Sequence, residues 1–383
     1  MRPIIYVAVT LIAAFLAGGT SSGAQEWPTS GGEPGRIIEV TTLADSGPGS
    51  LRAAVEAGGR RTIIFNVAGE IWLKDRLVIR SPFVTVAGET APSPGITILG
   101  DTVKIRSHDV ILRHLRIRVG ALPDNSDPQN RDGIQIEGSA DGTDPSYNVL
   151  IENCSVSWSV DELVQIWGKN NHDIAVRRSV LAEALANSIH PKGAHSAGLL
   201  VGPDASNVLI QGNLFAHNSN RNPAVHGGAG AVVANNLIYD PGFAAVHFYP
   251  HDDSGPTRAS IIGNYVEAGP STGKERLYSF GQGLNEGSAI FYADNLSEAV
   301  AAFSTEEFIA KSHVPVPFVS KPPIALPAGN YVSAEQVPNE ILTTAGARPW
   351  DRDEVDARIV SEVLSRGGQI RDAPTDERLA APP

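Results

Sequence analysis

From about residue 36 to 300 the chain alternates short β-branched apolar runs with Asn, Gly, Asp and Ser, and helical periodicity is nearly absent. Several runs fall on one template: a polar residue, an alternating strand, then another polar residue six positions on. They are D-V-I-L-R-H-L from Asp109, N-V-L-I-E-N-C from Asn148, D-I-A-V-R-R-S from Asp173, N-V-L-I-Q-G-N from Asn207 and G-A-V-V-A-N-N from Gly230. R-A-S-I-I-G-N from Arg258 matches more loosely. The starts are 39, 25, 34, 23 and 28 residues apart, so one coil of near-constant minimum length carries insertions at fixed corners. Such a coil cannot bury its apolar face alone, so coils stack and the insertions leave as loops. The pattern predicts an all-β, single-stranded parallel β-helix. A β-sandwich, with turn signals about every 8–12 residues, leaves the repeated Asn-Val-Leu-Ile words in register unexplained.

The residues six positions on, Cys154, Ser179, Asn213, Asn236 and Asn264, should stack as a small polar ladder at one corner. Ser50-Leu-Arg-Ala-Ala-Val55, with Ser50 as N-cap and Gly58-Gly59 as stop, reads as a short helix covering the open sheet edge at the first coil. Residues 36–300 form the solenoid domain on this reading, after a linker at 25–35. Residues 301–383 form a wrapped tail. Within it Ala310 to Pro327 reads as extended chain, and Val355, Ile359, Val360, Val363 and Leu364 set helical spacing over Asp353 to Arg366, ended by Gly367-Gly368. After Asp372 the sequence predicts disorder.

Residues 1–24 have the form of a secretory signal: Arg2, an apolar run from Ile4 to Leu16, and Ser22-Gly23-Ala24 at the cleavage positions. The run is short of the roughly 20 apolar residues a membrane span needs. The reading is an exported protein, periplasmic or secreted and bacterial, with no membrane attachment after cleavage and acting as a monomer. The net charge of −12 argues against a nucleic-acid partner. A single cysteine, Cys154, excludes an internal disulfide framework. Gly 38 and Pro 27 together exceed the usual share, as a chain that turns a corner several times per coil requires.

No G-x-S-x-G, H-E-x-x-H or phosphate-loop motif occurs. Four clusters stand out instead on successive coils: Q-N-R-D-G-I with Asp132, S-W-S-V-D-E-L-V-Q-I-W with Asp161 and Glu162, H-P-K-G-A-H with His190 and Lys192, and A-H-N-S-N-R-N-P with His217 and Arg221. Equivalent places on neighbouring coils lie about 4.8 Å apart, which gathers these residues on one outer wall. Strand parity turns Val164 and Ile166 inward and Asp161 and Gln165 outward; Glu162 has inward parity and reaches the wall only where the chain bends. Carboxylates and amide oxygens together make a hard-cation site of the calcium type. Each Asp alone would serve equally as a turn cap, and Arg221 before Asn-Pro as a corner brace. Facing carboxylates also leave a glycoside hydrolase open.

V-T-T-L-A-D-S-G-P-G-S-L-R-A-A-V (40–55), V-A-G-E-T-A-P (86–92), S-W-S-V-D-E (157–162), H-P-K-G-A-H (190–195) and H-N-S-N-R-N-P (217–223) together resemble polysaccharide lyase family 1, the pectate lyases. The likeness runs from about residue 36 to 300, and A-G-A-R-P-W-D-R-D-E-V-D-A-R-I-V (345–360) resembles the end of bacterial members. It implies a right-handed solenoid, Ca²⁺ as cofactor, and eliminative cleavage of the acidic polysaccharide α-1,4-polygalacturonate. By position, Asp132 and Asp161 match calcium ligands, joined by Glu162 and Gln165. Lys192 matches the lysine on a substrate carboxylate and Arg221 the catalytic base. His190, His217 and His226 complete the set expected to touch substrate. Asn130 and Gln165 stand where acidic residues are common in the family, and Ala224 where a second arginine is. These departures keep open a different uronate polymer as substrate, or a glycan-binding protein of impaired activity.

Overall fold

The computed structural model describes residues 29–380, apart from 123–126, 274–277, 281–283, 298–316, 328 and 330. Residues 1–24, read above as a signal, and the first part of the 310–327 segment lie outside the described residues. The described strands form three parallel sheets of ten, eight and nine strands, wound as a right-handed parallel β-helix. Each coil contributes one strand to each sheet, and every turn of the template lands in register: Val149 pairs with Ile174, and Ile174 with Val208. Val149, Ile151, Ile174, Val176, Val208 and Ile210 point into one continuous apolar core.

The corners explain the polar ends of the template. Asp109, Asn148, Asp173 and Asn207 open their strands at φ between 50 and 55°, where Asn and Asp are the least strained side chains. A second left-handed position falls one residue before the ladder, at Asn153, Arg178, Gly212, Asn235 and Gly263. The ladder residues themselves supply hydrogen bonds instead. Backbone N–H groups of Cys154, Ser179, Asn213, Asn236 and Asn264 donate to the side chain one coil on, at 3.0–3.1 Å, and the ladder extends to Asn295. Burial pushes the Cys154 thiol up to about 12, which leaves it inert.

Helix α1 (Leu51–Glu56) closes one end. The Ser50 side chain accepts from the Ala53 N–H, and Leu51, Ala54 and Val55 join the solenoid core. Buried Arg61 donates to the carbonyls of Ala54 and Val55, satisfying groups that the helix end leaves open.

The tail decides which outer face stays open. Ile324, Leu326 and Tyr331 pack on the outer side of the ten-stranded sheet. Helices α2 (Val337–Thr344) and α3 (Glu354–Ser365) cover the nine-stranded sheet with Val337, Ile341, Ile359 and Val363. Buried Arg118 reaches Asp353 at 2.6 Å and Asp356 at 2.9 Å, which locks α3 down. Two expectations are corrected. The left-handed stop of α3 is Arg366, ahead of Gly367-Gly368. The chain after Asp372 is packed: Leu379 is fully buried with Leu99, Ala121 and Trp158, because this last turn covers apolar surface beside α3.

The eight-stranded sheet remains. Its strands are β1 (Leu77–Ile79), β2 (Val103–Ile105), β3 (Ile134–Glu137), β4 (Glu162–Trp167), β5 (Ala197–Val201), β6 (Ala224–Val225), β7 (Val246–Phe248) and β8 (Tyr278–Phe280). No helix among the described residues is long and apolar enough to cross a membrane.

Candidate functional site

A groove of about 520 Å³ runs over β3 to β6. Strand register sets its floor: Gln135, Gln165 and Leu200 stack across β3, β4 and β5. Residues before the strands form one wall, and residues at the strand ends form the other.

The first wall is charged. Asp132 precedes β3 and is fully buried; its Oδ1 accepts the Glu162 N–H at 3.1 Å, and its Oδ2 has no hydrogen-bond partner. Burial first, then the neighbouring Asp161 carboxylate, pushes the Asp132 carboxyl well above the usual range. Ligand oxygens of Asp132, Asp161 and Glu162 lie within 4.8 Å of one another. Three converging carboxylates, one with an orphaned oxygen, fit a hard divalent cation. Glu162 also forms an ion pair with Arg221. It reaches the groove through a bend: Leu163, of outward parity, turns into the core with Val164, and the inward/outward alternation holds only from there.

Arg221 sits at φ 57° before the Asn222–Pro223 bond, and its carbonyl accepts the Leu199 N–H at 2.6 Å. This left-handed residue breaks the run between strands and aims the guanidinium across to the neighbouring coil. Lys192 lies exposed on the loop that enters β5 from the nine-stranded sheet, and lines the groove.

The second wall is aromatic: Trp167 and His226 line the groove, and further rings pack behind them. Trp167 ends β4, 37% exposed, and lies across Gly202, where a Cβ would come within 3.3 Å of the indole. His226 follows β6, its ring centroid 6.1 Å from that of Trp167 and 5.1 Å from Tyr249. His247 packs on Tyr249 at 3.9 Å and on Phe243 at 5.8 Å. Burial first, then Arg221, brings His226 and His247 each down to about 4.

Of the residues singled out from the sequence, Asp161, Glu162, Gln165, Lys192, Arg221 and His226 line this groove, and Asp132 lies buried beside Asp161 and Glu162. Two are placed differently. His217 is corrected: it is fully buried on the far side, 2.8 Å from Asp240 and 3.4 Å from Glu362 of α3, where no substrate can touch it. The coil turns its corner between His217 and Arg221, so four residues separate opposite faces. His190 is buried behind the groove, stacked on His195 at 3.9 Å, and its Nδ1 accepts the Lys192 N–H, so it shapes the loop from behind. Gln165 donates from Nε2 to Glu162 at 3.0 Å, while its oxygen accepts from Gln135 at 2.9 Å. Gln165 thus orients Glu162 from the groove floor while its own oxygen is held by Gln135. Sequence reasoning missed His195, which lies 2.6 Å from Asp161, although it ends the quoted H-P-K-G-A-H word. It also missed Trp167, which outward parity from Gln165 would have indicated.

No protein-family model matches the chain. A probable pectate lyase C from Aspergillus terreus is 37% identical over 63% of this chain and 52% of its own length. One from Emericella nidulans is 32% identical over 88% of this chain and 73% of its own. The chain belongs to the pectate lyase family. It spans about half the length of the Aspergillus terreus and Aspergillus fumigatus relatives, 52% and 56%. These relatives come from fungi, so a bacterial source finds no support in them. In fold the chain is similar to the cedar pollen allergen Jun a 1, with TM-score 0.62 over 88% of this chain and 99% of that one at 17% identity. A pectate lyase from Bacillus sp. N165 in complex with trigalacturonate gives TM-score 0.53 at 14% identity, over 85% of this chain and 98% of that one.

Proposed function

We propose that this chain is a calcium-dependent lyase that cleaves α-1,4-polygalacturonate by β-elimination. The observation that carries the reading is the charged wall: Arg221 paired to Glu162, beside the Asp132–Asp161–Glu162 oxygens, in an open groove of a chain of the pectate lyase family. Asp132, Asp161 and Glu162 would hold Ca²⁺, which neutralises a substrate carboxylate and stabilises negative charge developing beside it. Lys192, on its exposed loop, adds a second positive charge to the same carboxylate.

Arg221 takes the proton α to that carboxylate. The released electron pair forms the C4–C5 double bond, the C4–O glycosidic bond breaks, and the leaving oxygen is protonated from solvent. An arginine serves as a base only where neighbouring cations disfavour its charged form, and Lys192 lines the groove together with Arg221. His195 holds Asp161, and Gln165 holds Glu162, in the orientations the wall requires.

An acidic extracellular polymer as substrate agrees with export through residues 1–24 and with action as a monomer along one groove. The test is direct. With polygalacturonate and Ca²⁺ at alkaline pH, ultraviolet absorbance of unsaturated ends should rise and should stop on adding a chelator. Reducing ends without absorbance would point to hydrolysis, and no product from any uronate polymer would overturn the lyase.

A further inference from the structure

The tail does more than cover the nine-stranded sheet. After the left-handed stop of α3 at Arg366, residues 367–372 run on as a strap and meet two elements in turn. Gly368 lies against His217: a Cβ there would come within 2.6 Å of the imidazole. The Tyr239 hydroxyl donates to the Gly367 carbonyl at 2.8 Å, and the Ile370 N–H donates to the Ser271 hydroxyl at 2.9 Å. Ile370 packs on Gly242, where a Cβ would meet its Cδ1 at 2.6 Å and the Ser219 Cα at 3.1 Å. Gly242 and Phe243 in turn donate their N–H groups to the carbonyls of Asn218 and Ser219. The strap thus rests on the corner 217–223, which presents Arg221 on its other side.

Further along, the strap ties the loop 186–195, which carries Lys192. The Ala186 N–H donates to the Arg371 carbonyl at 2.8 Å. Asn187 donates from both its N–H and its Nδ2 to one oxygen of Asp372, each at 3.0 Å. The loop closes on itself at the same root, where the Ala186 carbonyl accepts the His195 N–H at 2.9 Å. Arg371 is anchored to the fully buried Glu183, which also holds Arg358 of α3.

An exposed loop holds a side chain less precisely than a strand does. A displacement of about 1 Å can cost a reaction on the order of a hundredfold. Lys192 and Arg221 sit on two irregular segments of different coils, and one piece of chain, anchored through α3, is bonded to both. Resting on the lyase reading, which gives Lys192 and Arg221 their roles, we infer that the strap 367–372 is a positioning element of the site. Asp372 sets the loop that carries Lys192, and Ile370 sets the corner that carries Arg221.

Kinetics and hydrogen exchange of the full chain test this. Asp372→Ala should lower kcat/KM on polygalacturonate about tenfold, and Asp372→Asn, which keeps the accepting oxygen, should restore it. In a Lys192→Ala background the same Asp372→Ala change should cost nothing further, because its effect passes through Lys192. Amide exchange across 186–195 should quicken in Asp372→Ala, and across 217–223 in Ile370→Ala, with the solenoid strands unchanged in both. The inference is overturned by undiminished kcat/KM in Asp372→Ala, by a loss that persists without Lys192 or that Asn does not restore, or by exchange in 186–195 that ignores Asp372→Ala. Failure of the lyase reading shows separately, as absence of unsaturated product from the parent chain while the exchange difference stands.

Discussion

The two walls of the groove are built by the same coils, a few residues apart, yet in opposite chemical languages. The charged wall comes from residues at or just ahead of the strand starts, where the backbone bends and side chains escape strand alternation: Asp161, Glu162 and Arg221, with Asp132 buried behind them. The aromatic wall comes from strand ends, where alternation holds: Trp167 lies across Gly202 of the next coil and His226 packs on Tyr249 of the next. Irregular backbone gives convergence of unlike charges from different coils. Regular backbone gives a flat, repeating surface.

Arg221→Lys should break the contrast most severely. The lysine keeps a positive charge near Glu162 but loses the guanidinium that reaches the reacting carbon. We expect kcat on polygalacturonate to fall on the order of 10³-fold, with KM changed only a few-fold. Steady-state kinetics by product absorbance reads both, and full activity in this variant would remove Arg221 as base.

Acid separates the walls by sign. His226 and His247 fall from 6.5 to about 4 on folding, so the unfolded chain binds protons that the folded chain refuses. Their effect is nil above pH 6.5, and stability is lost as pH falls from there toward 4, by roughly 3 kcal/mol per ring. Asp132 acts oppositely: its carboxyl is raised in the folded protein, so acid relieves the penalty of its buried charge. Denaturant melts of the metal-free protein at pH 7 and pH 4.5 should therefore show a smaller acid loss in His226→Phe and His247→Phe than in the parent. An unchanged difference between the two pH values would mean that these rings do not resist protonation.

Next in size is the cation. Asp161→Asn removes one of three converging carboxylates and leaves His195 beside a neutral amide. The Ca²⁺ concentration giving half-maximal activity should rise about a hundredfold, some 2.8 kcal/mol. Calcium titration of activity and direct calorimetry should agree, and an unchanged requirement would take Asp161 out of the ligand set.

How much of this was legible beforehand follows from the same contrast. Repetition is written locally, so the coils, the Asn ladder and the capping helix could be read from spacing in the chain. Asp132, Asp161, Lys192 and Arg221 could be picked out because each lies in a dense polar word; the structure brings Asp161, Lys192 and Arg221 to one groove and sets Asp132 beside Asp161. What failed was orientation at corners. His217 shares a word with Arg221 but faces Asp240 and Glu362, and α3, which covers it, lies more than a hundred residues further along the chain. Likewise Leu163 and Glu162 exchange the sides that parity assigns, because the bend at the start of β4 answers to packing against neighbouring coils. Of the aromatic wall only His226 was read, because its members belong to three different coils and none is unusual alone.

The smallest expected effect concerns Gln165, which stands on the floor between the walls and belongs to the charged one through its amide. Its Nε2 holds Glu162 at 3.0 Å and its oxygen is held by Gln135 at 2.9 Å, a relay of two neutral amides steadying one carboxylate. Gln165→Ala removes the relay without removing a ligand. Glu162 then keeps Arg221 as partner and loses its fixed orientation toward Asp132 and Asp161. Calcium affinity should weaken by about tenfold, with kcat at saturating Ca²⁺ nearly restored. Gln165→Glu separates positioning from charge: it adds a fourth carboxylate and loses the donor to Glu162. If a cation gathers the carboxylates, Ca²⁺ should bind this variant more tightly while the metal-free protein becomes less stable. Weaker calcium binding in both variants would show that what Gln165 supplies is the hydrogen bond to Glu162, and that the charged wall depends on the orientation of its oxygens more than on their number.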